Sequence, residues 1–312
     1  MVKFNTMLID SHAHIFPQVK GLTGQGPTLG IGLGRITVGG KTSQLIPPYG
    51  KETLFTPEML LANMEWAGVD KAVLLQGPYY GECNQYALDA MRTYPDRLVG
   101  VAYLDPWDEK SRAAFDWIIE AVLFKGIKLE YSEASGLIGI HPGARLDAPD
   151  IGWLWNELES RCKVLVLDLG AVGSASYQTR AVRTIAESHP KLKIVICHLA
   201  QPAPGMESRP ELWKLWQEQI DLGFLPNIWF DCAALPAYFP NENFPYPSAE
   251  IYLRRVIEKL GPTKILWGTD QPGLLTSASL PQLVRMIKRH LEFLSPEEQN
   301  LILGDNATGI FY

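Results

Sequence analysis

The chain has 312 residues, a formal net charge of −6, 46% hydrophobic residues and 20% charged residues. This balance is typical of a soluble globular protein and excludes the basic surface that attracts nucleic acids or anionic membranes. No apolar run approaches the roughly 20 residues that cross a bilayer, and the first five residues lack the apolar core of a signal peptide. The four cysteines are widely spaced, which favours a reduced, cytoplasmic protein over a disulfide framework.

The first predicted strand covers residues 7–14 and carries Asp10, His12 and His14. Alternate residues of a strand share a face, so these three side chains are expected to point the same way. Two neutral imidazoles on one face can chelate a divalent metal. Two solvent-exposed loop histidines would give the same pattern, so a metal site requires further ligands elsewhere in the chain.

Residues 21–50 are rich in glycine, threonine and proline and carry almost no charge. The run at residues 30–34 is not predicted to be a phosphate loop, because no strand leads into it and no helix follows it. We expect this segment to be a long loop that forms part of an active-site wall.

From residue 56 onward, helix and strand patterns alternate. Thr56 is expected to cap a helix that begins at Pro57 and ends at Gly68. Short apolar strands are predicted at residues 71–75, 98–104, 126–129, 164–168, 192–197, 227–231 and 264–267, with helices at 83–94, 111–122, 151–161, 178–188, 210–222 and 248–260. This alternation predicts an α/β fold, a (β/α)8 TIM barrel forming a single domain over residues 1–312, with extra C-terminal helices near 279–290 and 295–303. An open doubly wound sheet is the alternative, but no glycine-rich dinucleotide turn follows the first strand.

Most of the predicted strands end in a side chain that can bind metal or transfer protons. Barrel enzymes keep their chemistry at this end of the strands. The residues are Asp10, His12 and His14 after strand one, Lys128 and Glu130 on strand four, Asp168 on strand five, His198 after strand six, Asp231 on strand seven and Asp270 after strand eight. This regular placement strengthens the interpretation of His12 and His14 as metal ligands.

Several motifs resemble the amidohydrolase superfamily. They are Asp10-Ser-His12-Ala-His14, Ile196-Cys197-His198 and Leu266-Trp-Gly-Thr-Asp270-Gln-Pro272, together with Gly126-Ile-Lys128-Leu, Phe230-Asp231-Cys232 and the ending Leu303-Gly-Asp305-Asn-Ala307. The resemblance spans nearly the whole chain. It is strongest with the amidohydrolase-related branch that contains aminocarboxymuconate-semialdehyde decarboxylase, resorcylate decarboxylases and pyrone-dicarboxylate lactonase.

The resemblance implies that His12, His14 and Asp270 ligate a divalent metal, commonly zinc, and that His198 is a nearby acid/base or a further ligand. The family usually has a ligating histidine on strand five, whereas this chain has Asp168. A carboxylate ligand favours Mn or Mg more than imidazole does. Asp168 is therefore either a replacement ligand or a sign that metal binds weakly or not at all.

The resulting hypothesis is a metal-dependent hydrolase of a small carboxylated ester, lactone or amide. Asp270 would take a proton from the attacking water, and His198 would polarise the substrate carbonyl or protonate the leaving group. An anionic substrate requires a cationic anchor. Lys128 is the best placed, Arg35, Arg145 and Arg209 lie on candidate loops, and Tyr79 follows strand two. The alternatives are a non-oxidative decarboxylase of a hydroxy-aromatic or muconate-type acid and a metal-free binding barrel.

Other predictions concern single residues. Lys128 could instead form an internal ion pair with Glu130 or Asp168, or be carboxylated, as in some superfamily members. Asp231 is expected to position a loop or a ligand. His141 and His189 are expected at the surface, His290 on a polar helix face, and Trp213 and Trp216 in the core. A homodimer is suggested by analogy alone.

Overall fold

The structure is a computed structural model that describes residues 7–312. The expectation about a signal peptide concerns residues outside this range. The strands are β1 (Ile9–Ala13), β2 (Lys20–Thr23), β3 (Gly26–Gly32), β4 (Arg35–Val38), β5 (Lys41–Gln44), β6 (Lys71–Leu75), β7 (Leu98–Tyr103), β8 (Phe124–Glu130), β9 (Val164–Asp168), β10 (Lys193–Ile196), β11 (Ile228–Asp231) and β12 (Ile265–Leu266). None of the described helices is long and apolar enough to span a membrane.

The helices alternate with the strands of the barrel. They are α1 (Pro57–Ala67), α2 (Asn84–Thr93), α3 (Ser111–Glu120), α4 (Leu137–Ile140), α5 (Gly152–Ser160), α6 (Thr179–Ser188), α7 (Pro210–Ile220), α8 (Pro247–Leu260), α9 (Leu280–His290), α10 (Pro296–Asn300) and α11 (Asn306–Phe311). Helix α1 begins as predicted, with the Thr56 hydroxyl accepting from the Met59 amide, and it ends at Gly68 with a left-handed φ of 72°.

Eight parallel strands form the barrel in the order β1-β6-β7-β8-β9-β10-β11-β12. The last and first strands meet where the Ser11 amide donates to the Trp267 carbonyl at 3.0 Å, and the His14 amide donates to the Gln271 carbonyl at 2.8 Å. The predicted (β/α)8 TIM barrel with extra C-terminal helices is therefore confirmed.

The barrel interior is filled by alternate strand residues. They include Ile9, Val73, Leu75, Val99, Val101, Val164, Val166, Val195 and Leu266, and they pack with Ala307, Ile310 and Phe311 of α11. Burial of each such large side chain contributes about 1.5–3 kcal/mol before the entropy of folding is subtracted. The C-terminal helix thus closes the barrel at the end opposite the carboxyl ends of the strands.

Two predictions about chain segments are wrong. Residues 21–50 are not a loop but mostly a four-stranded antiparallel sheet, β2-β3-β4-β5. Gly39 and Gly40 join β4 to β5 with φ values of 54° and 77°, a backbone that glycine adopts without steric cost. The final helix does not end near residue 303, because α10 continues through a π-helical turn at Leu301–Asp305 into α11.

Among the remaining histidines, His290 is buried and its Nε2 donates to the Pro245 carbonyl at 2.7 Å, so its expected place on a polar face is wrong. His141 and His189 are half-buried and pair with Asp105 and Glu159. Trp216 is buried and stacks on Trp213, with ring centroids 5.2 Å apart, which confirms core packing.

Candidate active site

A cavity of about 870 Å³ opens at the carboxyl ends of the barrel strands. Most of the strand-end residues singled out in the sequence lie on its wall. They are His12 and His14 after β1, Tyr79 after β6, Lys128 and Glu130 on β8, Asp168 on β9, His198 after β10 and Asp270 after β12. Gly24 and Gln25, in the turn between β2 and β3, also line the cavity, so the antiparallel sheet does contribute to the wall.

Three electron-rich atoms converge at one point of this wall. Asp270 Oδ1 lies 3.0 Å from His14 Nε2 and 3.7 Å from His12 Nε2. The ligand atoms of the three residues lie within 4.8 Å of one another. His12 Nε2 is buried and has no hydrogen-bond partner. A cation is the group that would satisfy all three atoms at once.

The other nitrogen of each imidazole is committed elsewhere. His12 Nδ1 lies 3.0 Å from Asp231 Oδ2, and His14 Nδ1 lies 2.7 Å from the Leu75 carbonyl oxygen. Both acceptors place the proton on Nδ1, which leaves the Nε2 lone pairs for the cluster. Burial lowers the pKa of His12 to about 4 and also lowers the pKa of His14, so both rings are neutral at pH 7. The donor set therefore fits a divalent metal.

Asp168 lies against His198 rather than within the cluster of His12, His14 and Asp270. Its Oδ2 is 3.1 Å from His198 Nε2, and its Oδ1 accepts from the Gly170 amide and the Gln201 side-chain amide, each at 2.9 Å. His198 Nδ1 faces the Ala233 carbonyl oxygen at 3.3 Å. Burial alone would lower the pKa of His198, but the charge and hydrogen bond of Asp168, together with the charges of Asp231 and Asp270, raise it to about 10. His198 is therefore an imidazolium ion.

Cys197 also lies close to His12 and His198. Burial raises the pKa of its thiol well above the ordinary value. Because the thiolate and not the thiol is the metal ligand, this second group is less suited to a metal than the cluster at Asp270.

Lys128 forms an internal ion pair, as one of the sequence-based alternatives predicted. Its Nζ lies 3.3 Å from Glu130 Oε2, and the Ser132 hydroxyl donates to Glu130 Oε1 at 2.6 Å. Burial lowers the pKa of Lys128, but the negative charges around it, with Glu130 the strongest, together outweigh this effect and raise it. Burial and the charge of Asp168 raise the pKa of Glu130, whereas Lys128 opposes that rise.

The structure does not bring the candidate arginines into the cavity. Arg35 is exposed on β4, Arg145 pairs with Asp147 at 2.8 Å, and Arg209 donates to the Pro204 carbonyl. None of them belongs to the lining formed by the described residues. Tyr79 does line the cavity, as expected from its position after strand two.

Tyr80 lies beside Tyr79 in the segment after strand two that the sequence placed at the pocket or its rim, whereas Tyr238 and Gln201 line the cavity without having been singled out by the sequence. Tyr80 packs on His14 with ring centroids 4.9 Å apart, and Tyr238 lies 6.0 Å from the His198 ring. The sequence gives Tyr238 no signal, because it lies well beyond the end of β11. Gln201 follows His198 by three residues, a spacing that indicates contact only when the backbone conformation is known.

That conformation is a left-handed turn at residues 198–201. His198, Leu199, Ala200 and Gln201 all have φ between 51° and 61°, a region that costs roughly 1–2 kcal/mol for each residue with a Cβ. Side chains of α7 and of the loop before α6 hold the turn, because Trp216 Nε1 donates to the Leu199 carbonyl at 3.0 Å and the Tyr177 hydroxyl donates to the Ala200 carbonyl at 3.1 Å. Such strain is concentrated at functional sites.

The fold and the strand-end cluster define a barrel enzyme with a candidate metal site. The family model described as amidohydrolase matches residues 9–311, so the chain belongs to the amidohydrolase family. Among curated proteins, it is 22% identical over 283 residues to 4-sulfomuconolactone hydrolase from Hydrogenophaga intermedia, covering 85% of this chain and 83% of that protein.

Solved structures show the same fold. A probable 2-pyrone-4,6-dicarboxylic acid hydrolase from Acinetobacter baumannii, with citric acid bound, has a TM-score of 0.70 and 21% identity over 97% of this chain and 98% of that one. An amidohydrolase from Burkholderia multivorans with bound zinc has a TM-score of 0.73 and 16% identity, with 98% and 99% covered. A 2,6-dihydroxybenzoate decarboxylase from Rhizobium has a TM-score of 0.59 and 16% identity, with 83% and 89% covered.

Proposed function

We propose that this protein hydrolyses the ester bond of a small lactone in a metal-dependent reaction. The observation that carries the proposal is the convergence of His12 Nε2, His14 Nε2 and Asp270 Oδ1, with the first of these buried and unpartnered. The similarity to 4-sulfomuconolactone hydrolase supports ring opening as the reaction type.

His12, His14 and Asp270 would hold the metal, with zinc favoured by the two imidazoles and Mn or Mg as the alternatives. Asp168 stays a candidate for a further ligand, although its carboxylate now faces His198. A divalent metal would supply polarisation of the substrate carbonyl and a lower pKa for water.

The chain's own groups account for the proton transfers and the charge. Water adds to the lactone carbonyl carbon, the ring C–O bond breaks, and the ring oxygen gains a proton, which gives a hydroxy acid. Asp270 is ionised, because the surrounding side chains of His14, His12 and His198 together outweigh the effect of burial and lower its pKa. It can accept the proton of the attacking water and return it to the ring oxygen as the C–O bond breaks. His198 contributes a fixed positive charge where negative charge develops on the carbonyl oxygen. Lys128 and Tyr79 lie on the wall that would contact the substrate.

The test combines metal analysis with a lactone assay on the purified protein. We expect close to one equivalent of a transition metal and proton release from lactones at pH 7.5. His12→Ala should abolish both, whereas His189→Ala, which removes a half-buried histidine outside the cavity lining, should leave both unchanged. Metal content below a few tenths of an equivalent, or full activity in His12→Ala, would contradict the proposal.

A decarboxylase is the second candidate, favoured by the structural similarity to 2,6-dihydroxybenzoate decarboxylase. The same two histidines and Asp270 would then organise a hydroxy-aromatic acid, and the products would be carbon dioxide and the decarboxylated ring. Release of carbon dioxide from hydroxybenzoates, without lactone hydrolysis, would favour this candidate over the first.

A further inference from the structure

Asp10 precedes the two candidate ligand histidines but lies behind the cavity wall. It is fully buried, and it does not belong to the lining formed by the described residues. The sequence placed it on the same strand face as His12 and His14, but the pairing of β1 with β6 shifts register between Asp10 and Ala13. The proposed reaction therefore leaves this buried carboxyl group without a role.

The Asp10 carboxyl group accepts four hydrogen bonds where the last barrel strand meets the first. Its Oδ1 accepts from the backbone amides of His12 and Thr269 at 3.1 and 2.9 Å. Its Oδ2 accepts from the Thr269 hydroxyl at 2.5 Å and from the Gln271 side-chain amide at 2.8 Å. A buried carboxyl group is tolerated when its oxygens are satisfied in this way. One side chain of β1 thus holds the segment that follows β12.

That segment carries the third candidate ligand. Asp270 lies between Thr269 and Gln271, with a left-handed φ of 62°, and its backbone amide donates to the His12 carbonyl at 2.8 Å. Because the residues on both sides of Asp270 are bonded to Asp10, the Asp270 backbone cannot move away from His12 unless these bonds break. Partners behind the ligands strengthen metal binding by fixing the ligand positions.

We propose that Asp10 is a positioning residue that fixes Asp270 relative to His12 and thereby preorganises the candidate cation site. This inference rests on the cation site of the proposed function and concerns how that site is built. The same close approach accounts for Gly268, since a Cβ at this position would lie 2.8 Å from the Cβ of His12, closer than two such atoms can pack.

The proposed role needs hydrogen-bond partners on the Asp10 side chain but not its charge, so asparagine should preserve it. In Asp10→Asn, the remaining oxygen can accept from the two backbone amides. The new NH2 group can donate to the Thr269 hydroxyl and, once the Gln271 amide turns over, to Gln271 Oε1. That Oε1 is buried and has no hydrogen-bond partner among the described residues. Asp10→Ala instead leaves all four donors without their acceptor.

The experiment measures zinc affinity by competition against a chromophoric chelator at pH 7.5. We expect Asp10→Ala to bind zinc at least about tenfold more weakly than wild type and Asp10→Asn to remain within about threefold of it. Asn227→Ala controls for general destabilisation, because it removes three buried hydrogen bonds of a side chain outside the cavity lining, and its zinc affinity should be unchanged. Wild-type affinity in Asp10→Ala, or an equal loss in Asp10→Asn or Asn227→Ala, would overturn the inference.

Thr269→Val is a milder variant that tests the same contact if Asp10→Ala does not fold. It removes the hydroxyl that donates to Asp10 and accepts from the Gln271 backbone amide at 3.1 Å. We expect zinc affinity to fall by about three- to tenfold, and Thr269→Ser, which keeps the hydroxyl, should bind zinc like wild type. Unchanged affinity in Thr269→Val would contradict the proposed role.

Hydrogen–deuterium exchange of the metal-free protein separates this inference from the proposed function. If the wild-type protein binds no zinc, the proposed metal-dependent reaction fails. Asp10→Ala, or Thr269→Val in its place, should still accelerate amide exchange several-fold in residues 9–14 and 266–272, whereas Asp10→Asn should not. Unchanged exchange in both segments would overturn the inference whether or not zinc binds.

Discussion

The Asp231→Asn substitution should weaken metal binding without removing a ligand. Asp231 Oδ1 accepts from the backbone amides of His198 and Ala233 at 2.8 and 3.1 Å, and its Oδ2 faces His12 Nδ1 at 3.0 Å. Asparagine has one oxygen, and the two backbone amides require it. The NH2 group would then face His12 Nδ1, so the imidazole proton would move to Nε2.

The expected magnitude follows from this change of tautomer. A protonated His12 Nε2 has no lone pair for the metal. Moving the proton back to Nδ1 would restore that lone pair, but the Nδ1–H would then face the NH2 group of the asparagine, and two donors would oppose each other. Loss of such a partner typically costs 10–100-fold in metal affinity, or about 1.4–2.7 kcal/mol. The stability of the fold should change less, because the side chain keeps its shape.

The assay is competition for zinc against a chromophoric chelator at pH 7.5. Asp116→Asn is the matched control, since Asp116 is exposed on α3 and the same chemical change there should leave zinc affinity unaltered. An affinity within threefold of wild type for Asp231→Asn, in a variant with an unchanged circular dichroism spectrum, would refute the reasoning about the tautomer.

Three further predictions concern stability. Gly304→Ala should lower the free energy of unfolding in urea by about 1–3 kcal/mol, because the new Cβ would lie 1.9 Å from the Met7 carbonyl oxygen, whereas Gly309→Ala, with nothing within 4 Å, should not destabilise the protein; equal effects would contradict the packing argument. Asn227→Ala should cost about 2–4 kcal/mol in the same measurement, because its buried amide donates to three backbone carbonyls, and a loss below 0.5 kcal/mol would show that water replaces them. The pKa of His198 is about 10 in the folded protein against an ordinary value of 6.5, so its stabilisation of the metal-free protein is complete below pH 6.5 and is lost as the pH rises towards 10. The free energy of unfolding of His198→Gln should therefore vary less than that of wild type between pH 7 and 10, and an equal pH dependence would refute this assignment.

The positions of the barrel strands were predictable because a buried parallel strand is a short, nearly continuous run of apolar residues, and the predicted helices are longer and mix apolar with polar residues. Residues 164–168 illustrate this, since the prediction matches β9 in full. The antiparallel sheet at residues 20–44 was missed because its strands are mostly exposed, and Ile36 is one of its few buried apolar residues. The Gly39-Gly40 pair, which separates β4 from β5, was a usable sequence signal for a two-residue hairpin turn.

The site shows a different limit. Residue types at strand ends can be found from the sequence, but pairing between them depends on side-chain reach. Asp168 could be placed on the cavity wall, yet its contact with His198 depends on the left-handed turn, which no local pattern indicates. His290 was predicted on a polar face because its neighbours Lys288 and Arg289 are charged. Its spacing from Leu283 and Ile287 instead places it on the buried face of α9.

The position of α11 has a consequence for the order of events during synthesis. Ala307, Ile310 and Phe311 complete the apolar interior of the barrel, so the interior cannot be fully covered until this segment has left the ribosome. Up to that moment, the growing chain carries barrel strands whose inner faces lack their final covering. The candidate metal-ligand pair at residues 12 and 14 is synthesised before most of the barrel, whereas Asp270 and α11 are synthesised after the other seven strand-end positions. Complete folding of the barrel and assembly of the candidate cation site are therefore expected to wait for the synthesis of α11.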